Sequence, residues 1–135
     1  MAKRKAKART AKRPQEDDEI EERIHNDIIF DAYGPEERAL CWYYYLEDKL
    51  DFGCLLTGTC VCERAISPLS IGDEVELLDL APLEECGHEM FIMIRWDRRG
   101  GLGVPLSQIE PGDADEESRQ AIMDWHYWMN RGYQF

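Results

Sequence analysis

The period of the apolar residues changes twice along this chain, and that change limits the fold more than any single motif does. Ile20, Ile24 and Ile28 recur every four residues, so residues 17–30 read as an amphipathic helix with a narrow stripe. Residues 31–35, Asp-Ala-Tyr-Gly-Pro, break it. Pro35 then suits the first turn of a second helix, and Glu36 and Glu37 favour its positive end. Ala39, Trp42, Tyr43, Leu46 and Leu50 keep one helical face, predicting a helix over 35–50. From Cys54 to Ile109 strand alternation takes over. Strands are expected over 56–64, over 71–80 with Val75 and Leu77 set between acids, over 90–96, and over 102–106. A tight turn at 98–101 joins the last two, Pro105 puts the fourth at an edge or an end, and 106–109 forms a single turn. Helical spacing returns over 113–131, with Ala121, Ile122, Trp125, Trp128 and Met129 on one face and Gly132 as the stop. The expected architecture is α+β: a small SH3-like β barrel of four to five antiparallel strands, flanked by two N-terminal helices and one C-terminal helix.

Charge divides the chain into two parts. Residues 1–14 hold seven Lys or Arg and no acid, which leaves nine basic residues against all 28 acids in the remainder, a net of −19. Residues 1–16 have nothing to bury and are expected to be a disordered basic tail, with 17–135 as a single folded domain. The tail could engage RNA, ribosomes, a membrane or the acidic body itself. Nucleic acid is not an expected partner of the body, where polyanion would meet polyanion, and would be engaged only through the basic tail. No apolar run approaches the roughly 20 residues of a membrane span, and the basic start lacks the apolar segment of a signal peptide. Five cysteines with no export signal read as reduced thiols, and the expected location is the cytoplasm.

An excess of carboxylate can be screened diffusely by monovalent ions. Where carboxylates converge they select a hard divalent ion such as Ca²⁺, which takes six to eight oxygens. Three clusters qualify as candidate metal ligands. Glu47, Asp48 and Asp51 gather where the second helix ends, the end at which the helix dipole disfavours acids and leaves carbonyls unpaired. Asp113, Asp115 and Glu117 have the spacing that opens an EF-hand loop, but Ser118 stands where that loop needs glycine, and helix has begun there. Asp113 with Glu116 also reads as a capping box, a purely structural role. Glu84, Glu85 and Glu89 lie in the loop before the third strand. Two of these clusters could form one discontinuous site, and the sequence leaves open which two. Cys60 and Cys62, expected on one strand face, together with Cys86 and His88 would supply four zinc ligands at unusually tight spacing. His25, His88 and His126 are scattered, and no nucleophile elbow, phosphate loop or dinucleotide fingerprint is present, so no enzyme is expected.

Several segments resemble one family. They are Asp31-Ala-Tyr33, Trp42-Tyr-Tyr-Tyr-Leu-Glu-Asp48, Gly72-Asp-Glu-Val-Glu76, His88-Glu-Met-Phe91, Ile94-Arg-Trp96, Val104-Pro-Leu106 and Asp124-Trp-His-Tyr-Trp128. Together they resemble the small acidic calcium-binding proteins of the cyanobacterial CcbP type, over roughly residues 28–128. The resemblance implies a non-EF-hand Ca²⁺ binder acting as a cytoplasmic calcium buffer or regulator. The basic tail stands outside it, and the connection over 52–59 departs from it. The alternative reading is an interaction adaptor that uses the barrel surface and the tail to bind a protein or RNA partner.

Overall fold

The computed structural model describes residues 17–97 and 100–133; the basic tail expected over 1–16 lies outside the described residues. Asp17 starts the fold, its carboxylate accepting from the amides of Glu19 and Ile20 to cap α1 (Asp18–Arg23). The helix widens into a π turn over Ile24–Ile28, so the expected helix over 17–30 is present with a looser second half. Ile24 and Ile28 are buried and Ile20 packs beside them.

Helix α2 (Pro35–Lys49) has proline in its first turn, and its apolar face buries Ala39, Trp42, Tyr43 and Leu46, with Leu50 just beyond. Helix α3 (Glu116–Asn130) buries Ala121, Ile122, Trp125 and Trp128 against it. The two helices meet through tryptophan. Ring centroids lie 5.1 Å apart for Trp42 and Trp125, edge-on, and 5.6 Å apart for Trp42 and Trp128. Each such pair adds about 0.5–1.5 kcal/mol beyond the area it buries. Of the aromatic run in α2, Trp42 and Tyr43 turn inward while Tyr44 stays exposed, as a helical period requires.

Five strands follow: β1 (Thr57–Cys60), β2 (Glu74–Leu80), β3 (Phe91–Asp97), β4 (Gly100–Pro105) and β5 (Ile109–Pro111). Their order is β4-β3-β2-β1-β5, with every neighbouring pair antiparallel. Val75 and Leu77 alternate inward as expected, and a register shift between Leu77 and Asp79 turns Leu80 to the core. The 3₁₀ turn Leu106–Gln108 carries the chain from β4, at one edge, to β5, at the other. β1 accepts β5 closely because Gly58 has no side chain where Ile109 and the Glu110 carbonyl lie.

The α+β class holds, with five strands, but the sheet is open. β4 and β5 form its two edges, with no pairing between them among the described residues, so the expected barrel does not close. β4 runs out at Pro105, which has no amide to extend a ladder. The first strand is also shorter than expected. It stops at Cys60, where a last bond in register with β5, from the Val61 amide to the Gln108 carbonyl, meets the 3₁₀ turn that ends at Gln108. Cys60 is therefore buried and Cys62 exposed, so they do not share a strand face.

Candidate metal centre

The end of α2 and the first turn of α3 form one junction, and two of the three acidic clusters meet there. Ser118 joins them. Its hydroxyl accepts from the Asp51 amide at 3.0 Å, lies 2.6 Å from Asp115 Oδ1 and approaches the Lys49 carbonyl at 3.3 Å. A hydroxyl has one proton, and the nearer, charged Asp115 oxygen is the stronger acceptor. The Lys49 carbonyl, in the last turn of α2, is left with little more than a long approach.

Asp115, not Asp113, caps α3, accepting also from the Ser118 amide at 3.2 Å. The Ser118 hydroxyl and amide hold the Asp115 carboxyl below its ordinary range. Asp113 is pinned by its backbone instead: its amide donates to Thr57 Oγ1 at 2.8 Å, its carbonyl accepts from the Thr57 amide at 2.9 Å, and its side chain is exposed. The expected capping box therefore shifts by two residues, because β1 takes the backbone of Asp113 before helix can begin.

Lys49 Nζ lies 4.0 Å from Asp48 and 3.8 Å from Glu117, between the two clusters. Both acids are largely exposed, at 77% and 71%. Asp51 accepts from the Gly53 amide at 3.0 Å and the Cys54 thiol at 3.3 Å. The hydrogen bond and charge of Asp51 push the Cys54 thiol up, and the Asp115 charge adds to this, so the two carboxylates act on one region. The dipole of α2 is thus met partly within the protein, by Lys49 and by the positive end of α3.

The third cluster lies elsewhere. Glu89 is held by Arg64 at 2.6 and 3.1 Å. Glu84 and Glu85 are exposed on the 3₁₀ turn Leu83–Cys86. Glu47 faces this side as well: burial, then the charges of Cys86, Glu47, Asp79 and Glu84, raise the Tyr43 phenol. Among the described residues no three His, Cys, Asp or Glu side chains converge as metal ligands. This applies to the four zinc candidates too, of which Cys60 and Cys86 are packed in the core. The α2–α3 junction nonetheless suits a hard divalent ion in its donors. It offers the exposed carboxylates of Asp48, Asp51, Asp115 and Glu117 together with the Lys49 carbonyl, all oxygen.

One acid has a different role, which the sequence reading missed. Asp124 is buried, bonded to Arg23 Nη2 at 2.6 Å, Arg23 Nε at 3.0 Å and the Tyr45 hydroxyl at 2.8 Å. Burial and this hydrogen bond push the Tyr45 phenol up. The signal was present: Asp124 falls at helical spacing within the apolar stripe of Ala121, Trp125 and Trp128. Ser118 and Thr57, which build the junction, carry no such signal.

A family model described as calcium binding, Calci_bind_CcbP, matches residues 22–129. The crystal structure of CcbP from Anabaena is 37% identical at a TM-score of 0.77, covering 90% of this chain and 98% of that one. A structure described as a calcium binding protein in the calcium-binding form is 38% identical at a TM-score of 0.73, covering 88% and 95%. No curated protein matches.

Proposed function

The chain belongs to the CcbP-type calcium-binding family, and from that premise we propose that it takes up Ca²⁺ at the junction of α2 and α3, acting as a cytoplasmic calcium buffer or regulator. The observation that supports this placement is the meeting of the 47–51 and 113–117 acids around Ser118, while Glu89 is already neutralised by Arg64. Asp48, Asp51, Asp115 and Glu117 would hold the ion with the Lys49 carbonyl, Asp113 borders them, and Glu47, which faces the Glu84 side, stands apart from them. The site is no EF-hand: its ligands come from two segments some sixty residues apart, on a helix end and a helix start.

Three features set its strength. Its acids are exposed, so part of their attraction is lost to water and salt. The Lys49 ammonium must leave Asp48 and Glu117 before an ion can use both. Asp51 and Asp115 already accept hydrogen bonds that an ion would replace. Binding at micromolar or weaker strength follows. Because the folded chain alone unites the two segments, Ca²⁺ stabilises it, by about 2.7 kcal/mol at a hundredfold excess over Kd.

Calorimetric titration with Ca²⁺ and with Mg²⁺ in moderate salt tests this. Saturable Ca²⁺ binding that outlasts the salt and exceeds Mg²⁺ supports the reading. Equal, salt-erased responses reduce the acids to diffuse screening. Saturable binding untouched by Asp51→Asn and Glu117→Gln moves the ion to another part of the surface.

A further inference from the structure

A cavity of about 590 Å³ opens between the start of α2 and the C-terminal half of α3, within the size range of ligand pockets. Trp128, Met129 and Tyr133 line one side of it, and Pro35, Glu36 and His88 the other. Glu36 is exposed at the rim and makes no ion pair with a described residue. Aromatic rings beside a carboxylate suit a cationic side chain, above all a guanidinium, which stacks on ring faces and pairs with carboxylate.

The chain's own basic segment enters the fold next to this cavity. The amide of Asp17, the first described residue, donates to the Tyr127 hydroxyl at 3.0 Å. That hydroxyl donates to Glu21 Oε2 at 2.7 Å, and the same oxygen accepts from the Tyr133 hydroxyl at 2.9 Å. Tyr133 is a wall of the cavity. The path from chain entry to cavity wall is three hydrogen bonds long, roughly 9 Å, a span that three extended residues cover. Pro14, Gln15 and Glu16 are the three residues before Asp17 in sequence, a length that puts Lys12 and Arg13 within reach of the cavity.

We infer that this cavity is the docking site of the chain's own basic segment, with Lys12 and Arg13 as its occupants. Three observations carry this: the entry point beside Tyr127 and Tyr133, the length of Pro14 to Glu16, and the meeting of seven cations with a body of net charge −19. Linkage within one chain adds to the affinity, since the segment is held at an effective concentration that reaches the millimolar range for short linkers. The attraction is largely electrostatic and weakens as salt rises. The inference is independent of where calcium binds.

The full-length chain, isotopically labelled for NMR, tests it by charge reversal. Lys12→Glu with Arg13→Glu should move the Met129 and Tyr133 amide signals and the Trp128 indole signal by more than a line width, and high salt should move them the same way. Glu36→Lys should displace the same signals, while Glu110→Lys, at an exposed position of edge strand β5, should leave them in place. Combining both reversals should return them toward their original positions. The inference is overturned if tail reversal leaves these signals still or if Glu110→Lys acts as strongly as Glu36→Lys. It is overturned equally if the shifts fall at Asp48, Asp51 and Glu117, or if they vanish on dilution, which assigns the cavity to a second copy's tail.

Discussion

Asp124 and the acids of the α2–α3 junction stand on the same helix pair, yet the fold treats them in opposite ways. Asp124 is 1% exposed and spends both oxygens on Arg23 and Tyr45. Asp48 and Glu117 are mostly exposed and share a single lysine at the outer limit of an ion pair. A buried carboxylate must be fully bonded, because an unpaired charge in the core costs several kcal/mol. Exposed carboxylates are under no such demand, and their charge remains available to an ion from solution. In this acidic chain, availability of the carboxylate and not its presence separates a structural acid from a candidate ligand.

The largest effect should come from Asp124→Ala. It strands the Arg23 guanidinium and the Tyr45 hydroxyl, and should cost about 3 kcal/mol of stability, the low end for a broken buried pair because Arg23 is partly exposed. Denaturant unfolding measures the loss, and calorimetry on the folded fraction should find calcium affinity within about twofold of the parent, well below the 1.4 kcal/mol of a tenfold change. A small stability loss with abolished calcium binding would reverse the comparison.

Asp48→Asn with Asp51→Asn should do the opposite. Calcium affinity should fall at least tenfold, about 1.4 kcal/mol. Stability without calcium should stay within about 0.5 kcal/mol of the parent, as for other surface substitutions. Glu84→Gln with Glu85→Gln is the matched control, removing equal charge on the other side of α2, and should weaken binding less than about twofold through the long-range field alone. If the control weakens binding as much as the junction variant does, net charge and not the junction holds the ion.

The same contrast marks how far the sequence could be read. Helices and their inward faces were legible because 3.6-residue spacing is a local property: every apolar residue assigned to the faces of α2 and α3 is buried or packed on the core. The strands were legible in number and mostly in position. Closure of the sheet was not, since the order β4-β3-β2-β1-β5 depends on where a three-residue 3₁₀ turn sends the chain. The site was legible as acids but not as a place. That Asp51 meets Ser118 is a contact 67 residues apart in sequence, set by the packing of Trp42 on Trp125 and Trp128. The helix-end dipole pointed to the acids at 47–51, while their compensation by the start of α3 could only be seen once the helices were packed.

Lys49→Gln sharpens the comparison from the other direction. Lys49 Nζ competes for Asp48 and Glu117, and exposed pairs of this kind are worth about 0.2–1 kcal/mol. Its removal should strengthen calcium binding about threefold, ~0.6 kcal/mol. Unchanged or weaker affinity would mean that the ion does not use these two carboxylates together.

The smallest effect is a pH dependence that belongs to both kinds of acid. Burial raises the Glu21 carboxyl, but hydrogen bonds from Tyr127, Tyr133 and His25 outweigh it and hold the group below its ordinary value of 4.5. Asp115 is held below its ordinary 3.8 by the Ser118 hydroxyl and amide. A carboxyl depressed by folding lends stability that is complete above its unfolded pKa and is lost as pH falls through the lower, folded one. Stability should therefore be level above about pH 5 and decline below pH 4.5, progressively through the acid range. Ser118→Ala removes the donors' hydroxyl share from Asp115 and leaves Glu21 untouched, so its denaturation midpoint should fall less steeply on acidification than the parent's. Parallel acid profiles for the two proteins would show that the Asp115 carboxyl, although it caps α3, is not tuned by Ser118, and would leave that carboxylate as free for an ion as its exposed neighbours Asp48 and Glu117.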